Sequence, residues 1–440
     1  MELEQEALSN IDKAKRTLIA TKRMALRAVQ VDEHLLDLSS AIHLQFNDEL
    51  IPLRLGRISV LVAIDVDTTC ILGYWVSLSR APNQDDLLSM IEHCVMPWRP
   101  MTIRTPGLQY EPGALFPSAI PETRPIHMGN KIHMDNAWIH SAKTVIQMIC
   151  GAMGGTIALG RPASPTVRSL IESVFSFVNT HLSHRPASTT GSSVADPIRE
   201  SSKNSKKIPV ITFRTVLEAL SIILTKYNVT PRSNIGNATP LDLFSHHLSS
   251  NYSIHLPHDI REQWRPFICE EVVSVKWYHH EKRRPFINFS GCRYQGDGLD
   301  SVAAKKGKIR IQYDRRKIRE LRALTMDGVD LGAIHCPVSW KRFEHSLATR
   351  KTLNRLIRQQ RLSQADPLAE YFRLLLEKKE SPSAALSLLR VYSEFTHDGS
   401  SSITIGEKDD NVHAPSTPTK LQWSVSMADH VDSEQERGKK

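Results

Sequence analysis

Hydrophobic and polar positions alternate with different periods in successive parts of this 440-residue chain. Apolar residues recur at near-helical spacing among charges in residues 1–30, which predicts a helical lead-in. Residues 31–38 alternate as a strand does. Residues 57–78 are rich in β-branched and aromatic residues around a polar turn at 65–69, so we predict two paired strands there.

The two kinds of pattern continue to alternate up to residue 255. Residues 97–124 are rich in Pro and Gly and predict an irregular excursion. Residues 188–207 predict a serine-rich loop, and residues 230–244 a turn-rich connection. Elsewhere we predict helices at 85–93, 141–151, 167–182 and 211–227, and a short strand at 131–134. Residues 31–255 therefore predict an α/β core, a mixed sheet flanked by helices.

After residue 265 the segments shorten. Short strands separated by glycine and Asp-Gly turns predict a small antiparallel β-barrel over residues 265–340. Residues 342–395 return to helical periodicity, and residues 396–440 are polar, which predicts a disordered tail. One tryptophan in residues 417–427 suggests a short hook that binds a partner protein, and a featureless tail is the alternative. The predicted strands lie at 271–279, 286–289, 308–313 and 319–324.

The net charge of +9 is concentrated in one part of the chain. Residues 261–360 hold 22 Lys and Arg against 11 Asp and Glu, which predicts a module that faces a polyanion, with a merely solvated surface as the alternative. No Cys-x-x-Cys pair occurs among the six cysteines, so a zinc ribbon is not indicated. No apolar run reaches the roughly 18–20 residues of a membrane span, so we expect no membrane contact and a cytoplasmic location.

Three acids lie in settings that favour a metal site. Asp32 begins a strand, Asp135 follows the strand at 131–134, and Glu172 lies inside an otherwise apolar helix. Hard carboxylate oxygens suit Mg²⁺, and two such ions stabilise the attacking and leaving oxygens of an in-line phosphoryl displacement. Asp65 is the competing acid, and we predict for it a turn or capping role. For His133 we predict packing or hydrogen bonding rather than metal binding.

Several motifs together resemble the DDE transposases and integrases, which have a ribonuclease H-like core. They are VDEHLLDL at 31–38, AIDVDTTCILGYWVSL at 63–78, MDNAW at 134–138, IESVFSFVN at 171–179 and TPRSNIGNATPLDLF at 230–244. The closer resemblance is to the Mu transposase and TnsB (TniA) branch, whose C-terminal barrel is similar to residues 287–328. The resemblance implies that Asp32, Asp135 and Glu172 are the catalytic acids. It also implies two Mg²⁺ ions, with Mn²⁺ as a possible substitute.

The resemblance implies a bacterial, nucleoid-associated transposase that cleaves transposon 3′ ends and joins them to target DNA. Its partners would be DNA, an AAA+ ATPase regulator of the TnsC type, and further copies of the chain on DNA. Only 31 residues precede Asp32, so the alternative is a catalytically inactive or truncated DNA-binding subunit that depends on partner proteins. A nuclease of the same fold, which hydrolyses without joining, is a further alternative.

The basic clusters of the predicted barrel are the candidate DNA contacts. They are Lys282, Arg283, Arg284, Lys305, Lys306, Lys308, Arg315, Arg316, Lys317 and Arg319. Such cations contact phosphates and position DNA without reading its sequence, so removing the Arg315–Arg319 charges is expected to weaken binding without changing sequence preference. The aromatic residues between them are predicted mostly to form the barrel's own core, with stacking on bases as the less favoured alternative. They are Trp277, Tyr278, Phe286, Phe289, Tyr294 and Tyr313.

Overall fold

The computed structural model describes twelve segments of the chain, besides the isolated Ser9. They are 24–36, 41–46, 49–55, 58–79, 81–120, 129–134, 143–159, 169–183, 211–250, 265–278, 284–303 and 307–396. The chain divides into two compact units. The first comprises Met1–Ile42 with Arg54–Pro266, and the second comprises His43–Leu53 with Phe267–Lys440. No helix in these segments is both long enough and apolar enough to cross a membrane.

Strands and helices follow one another in both units. The described strands are β1 (Ala28–Leu36), β2 (Ala41–Phe46), β3 (Glu49–Arg54), β4 (Ile58–Asp65), β5 (Ile71–Ser77), β6 (Lys131–Met134), β7 (Thr156–Leu159), β8 (Ile211–Thr212), β9 (Ile268–Ser274), β10 (Ile287–Phe289), β11 (Cys292–Tyr294), β12 (Lys308–Asp314), β13 (Lys317–Leu324) and β14 (Asp330–His335). The α-helices are α1 (Gln84–Val95), α2 (Lys143–Ile146), α3 (Ser169–Ser183), α4 (Phe213–Asn228), α5 (Pro240–Ser250), α6 (Asp300–Ala303), α7 (Val338–Lys341), α8 (Leu347–Arg358), α9 (Pro367–Glu377) and α10 (Pro382–Thr396).

The first unit contains a five-stranded mixed sheet in the order β5-β4-β1-β6-β7. Strands β5, β4 and β1 are antiparallel neighbours, whereas β6 runs parallel to both β1 and β7. All eight residues of β4 are buried, which explains its nearly continuous apolar sequence. Helices α1 and α4 pack on β5, and α3 packs on β1 and α4. This mixed sheet flanked by helices fits the ribonuclease H-like core that the sequence predicts.

Most predicted elements of the first unit are confirmed, with three differences at their ends. β1 begins at Ala28, inside the predicted helical lead-in. The helix at α2 does not stop at Gly151 but continues as a π-helix to Ala152. α5 starts within the connection predicted to be turn-rich, because the Thr239 hydroxyl accepts a hydrogen bond from Asp242 N at 3.1 Å and caps the helix. Residues 1–8, 10–23 and 188–207 lie outside the described segments.

The irregular excursion is present as predicted over residues 97–120 and is held by polar side chains of α4. The carboxylate of Glu218 accepts hydrogen bonds from the backbone N of Arg104 and of Thr105, both at 3.0 Å. Burial alone would raise the pKa of Glu218, but these bonds and the Thr105 and Arg214 side chains lower it. The excursion is therefore ordered by specific hydrogen bonds rather than by secondary structure.

The second unit contains a four-stranded antiparallel sheet, β14-β13-β12-β9, and a two-stranded ribbon, β10-β11. Backbone hydrogen bonds join the ribbon to both edge strands of the sheet. Lys276, just after β9, exchanges two bonds with Phe286, at 2.8 and 2.9 Å. Gln295, just after β11, exchanges two bonds with His335 of β14, at 3.0 and 2.8 Å. The six strands thus follow one another in a ring of backbone hydrogen bonds.

Three helices, α8, α9 and α10, follow the sheet and confirm the predicted return to helical periodicity after residue 342. The sequence did not predict β2, β3, β7, β8, β11 or β14, which have two to six residues each. Segments this short carry too few alternating positions to define a period. The predicted tail from residue 397 onwards, with its tryptophan hook, lies outside the described residues.

Candidate active site

Asp32 lies in the middle of β1, the central strand of the five-stranded sheet. It pairs in antiparallel register with Val62 of β4, and its side chain is partly exposed. The Oδ1 atom of its carboxylate accepts a hydrogen bond from the backbone N of Glu33 at 2.9 Å. Alternate residues of a strand share a face, so Asp32 and His34 lie on the same side of the sheet.

The second predicted acid follows β6, the strand beside β1. Gln30 of β1 pairs with His133 of β6 in parallel register. Asp32 lies two residues after Gln30, and Asp135 lies two residues after His133. Asp135 itself lies outside the described residues, and the structure describes the other two predicted acids. His133 is partly buried, and its pKa is lowered by that burial and by the charge of Lys131.

Glu172 lies in the first turn of α3 and is exposed, as expected for an acid off the apolar stripe. The helical spacing of this segment predicts an apolar stripe of Leu170, Val174, Phe177 and Val178, with Glu172 off it. Two of these positions differ from the prediction, since Leu170 and Phe177 are only partly buried. The helix buries Ile171, Val174, Phe175 and Val178. These buried side chains pack against β1 and α4. Glu172, in the first turn of the helix, is exposed to solvent.

His34 links the strand of Asp32 to the helix of Glu172. Its ring stacks on Phe175 with centroids 4.5 Å apart and planes inclined by 14°. Its Nε2 accepts a hydrogen bond from Asn179 Nδ2 at 3.0 Å. Phe175 and Asn179 follow Glu172 by three and seven residues, so the three share one side of the helix. The contact thus holds the Glu172 side of α3 on the face of β1 that carries Asp32.

Sequence reasoning missed His34 and Asn179. The available signal was positional: His34 follows Asp32 by two residues in a strand, and Asn179 follows Glu172 by two helical turns. Those spacings place each polar residue on the face of its acid. They do not show that the two faces meet.

Asp65 ends β4 and is fully buried in the turn before β5. Its Oδ1 accepts a hydrogen bond from Leu26 N at 2.8 Å, and its Oδ2 accepts bonds from Thr68 N at 2.8 Å and Thr68 Oγ1 at 2.6 Å. Burial raises the pKa of Asp65 to about 6, against the lowering effect of these bonds, and the nearby Asp67 raises it further. Asp65 therefore has the turn role predicted from the sequence.

The potential metal-ligating atoms described at this site are the carboxylate oxygens of the acids. Asp32 and Glu172 supply carboxylates, whereas His34 Nε2 is already engaged by Asn179. Over the described segments, no group of three or more His, Cys, Asp and Glu side chains could hold a metal ion. The full trio stays a prediction, because Asp135 is not among those residues.

The predicted DNA contacts of the second unit are described only in part. Lys308, at the start of β12, is exposed. Arg284 is also exposed, and its Nη1 lies 3.2 Å from Asp297 Oδ1. Lys282, Arg283, Lys305 and Lys306 lie outside the described residues.

The remaining predicted cations lie at the turn between β12 and β13. Arg316 pairs with Asp314 at 3.1 Å, and its guanidinium stands 4.0 Å over the Phe267 ring. Arg319 Nε lies 3.4 Å from Glu344 Oε2. Internal acids therefore already neutralise part of this cluster. Arg315 and Lys317 are partly exposed in the same turn.

Of the six aromatic residues predicted mostly to form the core, four are buried and two are exposed. Phe286, Phe289, Tyr294 and Tyr313 are buried. Trp277 is 40% exposed and Tyr278 is 47% exposed. Both lie in the segment after β9, which ends at Ser274, and other residues cover them only in part.

Comparisons with known proteins agree with the class of protein that the sequence motifs suggest. Residues 30–187 match the family model described as the TnsB C-terminal domain. That span contains Asp32, Asp135 and Glu172, so the similarity covers the three predicted acids. No curated protein matches the chain.

Solved structures of low similarity were also found. The catalytic core domain of BIV integrase has 15% sequence identity and a TM-score of 0.28, covering 51% of this chain and 99% of its own. A chain of the simian T-cell lymphotropic virus intasome in complex with PP2A regulatory subunit B56 gamma has 12% identity and a TM-score of 0.28. That match covers 73% of this chain and 79% of the other.

Proposed function

We propose that the chain is a DDE transposase subunit that binds DNA, cleaves transposon 3′ ends and joins them to target DNA. The observation that carries this proposal is the contact of α3 with β1 through His34. It holds two of the three predicted acids on one side of the sheet, within the span that matches the TnsB C-terminal domain. The ring of six strands in the second unit would be the DNA-binding barrel.

The donor set fits two Mg²⁺ ions, which prefer hard oxygen ligands and exchange with Mn²⁺. Asp32, Asp135 and Glu172 would hold them. When bound, the ions stabilise the attacking and leaving oxygens of an in-line phosphoryl displacement. His34 contributes by fixing α3, and the exposed Glu172 leaves the site open to a DNA strand. Exchange of one phosphodiester for another needs no nucleotide hydrolysis at this site.

Further partners belong to the same proposal. Cleavage of two element ends and their joining to one target require more than one active site on DNA, so we expect a homo-multimer. Similarity to the TnsB C-terminal domain favours an AAA+ ATPase regulator of the TnsC type as the partner that supplies control.

A strand-transfer assay on labelled element ends tests the proposal. Wild-type chain with Mg²⁺ or Mn²⁺, with and without the ATPase, should give joined products, and Asp135→Ala and Asp32→Asn should give none. Glu377→Gln, which changes an exposed glutamate of α9, is the matched control and should join normally.

Each alternative gives a distinct result in the same assay. DNA binding without cleavage under every partner combination would indicate the catalytically inactive or truncated subunit and end the proposal. Cleaved ends that are never joined would indicate a nuclease of the same fold.

A further inference from the structure

The segment after β9 presents an outward face that the sequence did not predict. Val275 donates a backbone hydrogen bond to Gly307 O at 3.1 Å on one side, while Lys276 bonds to Phe286 on the other. The chain is therefore still extended here and lies between β12 and the ribbon. Val275 is buried, so Lys276 and Tyr278 point to the opposite, outer side.

The ribbon continues that outer side. Phe286 pairs with Lys276, and Asn288, two residues on, pairs with Arg293. Cross-strand partners share a face, so these side chains surround one patch. The Arg293 guanidinium lies 4.9 Å from the Phe286 ring centroid, and the Tyr278 ring lies 5.8 Å from it. We name the exposed members, Lys276, Tyr278, Asn288 and Arg293, the ribbon face.

The two cations of the ribbon face differ from many arginines of the second unit in that they form no ion pair with a described acid. Lys276 and Arg293 have no acidic partner among the residues that the structure describes. Other arginines of this unit form ion pairs, among them Arg284, Arg310, Arg316, Arg319, Arg322 and Arg342. A cation that is already paired must break that pair to bind a phosphate, whereas Lys276 and Arg293 need not.

We propose that the ribbon face binds single-stranded DNA, with Tyr278 stacking on an unpaired base and Lys276 and Arg293 contacting phosphates. Exposed rings beside cations are the combination that holds single strands, since every base has a face to stack. A duplex hides those faces and would use only the cations. Asn288 adds an amide that can donate to and accept from base edges.

This inference rests on the proposed function. Joining only the 3′ ends of an element leaves its 5′ ends unjoined, and joining the two ends at staggered positions of the target strands would leave unpaired DNA between them. The proposed partner, single-stranded DNA, is therefore more specific than the polyanion that the basic charge alone suggests.

Fluorescence anisotropy with the full chain tests the inference. The probes are a labelled oligothymidylate of about 20 nucleotides, longer than the roughly 4–16 nucleotides one such surface covers, and a duplex of equal length. Tyr278→Ala should weaken oligothymidylate binding about tenfold and duplex binding less than about twofold. Lys276→Gln with Arg293→Gln should lower the salt slope for the single strand by about 1.4.

Controls keep the result interpretable. Tyr278→Phe retains the ring and should bind as the wild type does, which separates stacking from folding. Arg322→Gln removes a cation already paired with Asp330 and should leave the salt slope unchanged. All titrations use the Asp32→Asn chain in EDTA, so that binding is scored apart from catalysis.

Two results would overturn the inference. One is an unchanged oligothymidylate affinity in Tyr278→Ala, and the other is an equal loss on duplex and single strand. A Tyr278→Phe chain as weak as the alanine variant would also reject stacking. Absence of strand transfer by the wild type would reject the proposed function without altering the anisotropy result.

Discussion

Two carboxylates on adjacent strands of the first unit lie in opposite environments. Asp65, at the end of β4, is fully buried and its two oxygens accept three hydrogen bonds from Leu26 and Thr68. Asp32, in the middle of β1, is partly exposed and stands two residues from His34, which fixes α3. The first carboxylate closes a turn, whereas the second faces outward beside a rigid contact between strand and helix.

The difference shows how a strand acid can be assigned without a bound ligand. An acid whose oxygens are filled by buried donors of its own turn has a structural role, because removing it leaves those donors unsatisfied. An acid with a partly exposed side chain, next to residues that hold the helix of a second predicted acid, is a candidate ligand, and we propose that role for Asp32. Changes at the two positions should therefore affect different measurements.

The largest effect is expected at Glu172. Glu172→Gln should reduce strand transfer more than about a hundredfold, beyond the 10–100-fold typical of residues that only support a metal ligand. The free energy of unfolding of Glu172→Gln should differ little from that of the wild type, because the Glu172 side chain is exposed. Strand-transfer rates and urea unfolding measure the two quantities. Ser176→Ala, on an exposed position of the same helix, is the control. Normal joining by Glu172→Gln would remove Glu172 from the site.

Asp65→Ala should show the reverse pattern. It leaves the buried donors of Leu26 and Thr68 without an acceptor, so we expect a loss of about 3 kcal/mol in the free energy of unfolding. Strand transfer per folded molecule should stay within about twofold of the wild type, below the effects of ligand-supporting residues. Urea unfolding at neutral pH measures the loss. A stable but inactive variant would mean that Asp65, not Asp32, is the catalytic acid.

The raised pKa of Asp65 predicts a pH dependence of stability. Its pKa of about 6 in the folded chain exceeds the ordinary 3.8, so the folded state binds the extra proton between these values. Stability contributed by Asp65 should fall as the pH rises through that window, by up to about 3 kcal/mol. The stability of wild type relative to Asp65→Asn should thus be lower at pH 7 than at pH 4. An unchanged difference across that range would contradict the shift.

His34 and Asn179 should act as a pair that positions Glu172. His34→Ala and Asn179→Ala should each lower strand transfer by about tenfold, as loss of groups that orient a ligand does. Because their side chains share one hydrogen bond, the double variant should fall short of the product of the single losses. A double-mutant cycle of strand-transfer rates tests this, and fully multiplicative effects would show that the two residues act independently.

The smallest effect is expected at the β12–β13 turn. Arg316→Gln with Arg319→Gln should lower the duplex salt slope by less than about one, because Asp314 and Glu344 already neutralise these cations. The double change should leave sequence preference unaltered. Filter binding at several salt concentrations measures the slope. A drop of about two would show that both arginines leave their acids to contact phosphates.

Local patterns explain what could be predicted of the fold. The positions of three elements follow from residue spacing: the apolar β4, the strand at 131–134 and the amphipathic α3. In each, the pattern of apolar residues indicates which side chains are buried. The candidate acids followed from strand ends and from resemblance. The contact of His34 with Asn179 could not be predicted this way, because the two residues stand 145 positions apart.

The sequence by itself determined the order of strands and helices, the off-stripe position of Glu172 and the basic character of the second unit, because each depends on neighbouring residues. Only the tertiary structure decided which faces meet and which charges are paired. The turn role of Asp65 was predicted, but the hydrogen bond that it accepts from Leu26, 39 positions away, was not. Tyr278 is exposed because its side chain points to the outer side of the extended segment after β9. Both outcomes depend on what packs against a residue, and no local pattern records that.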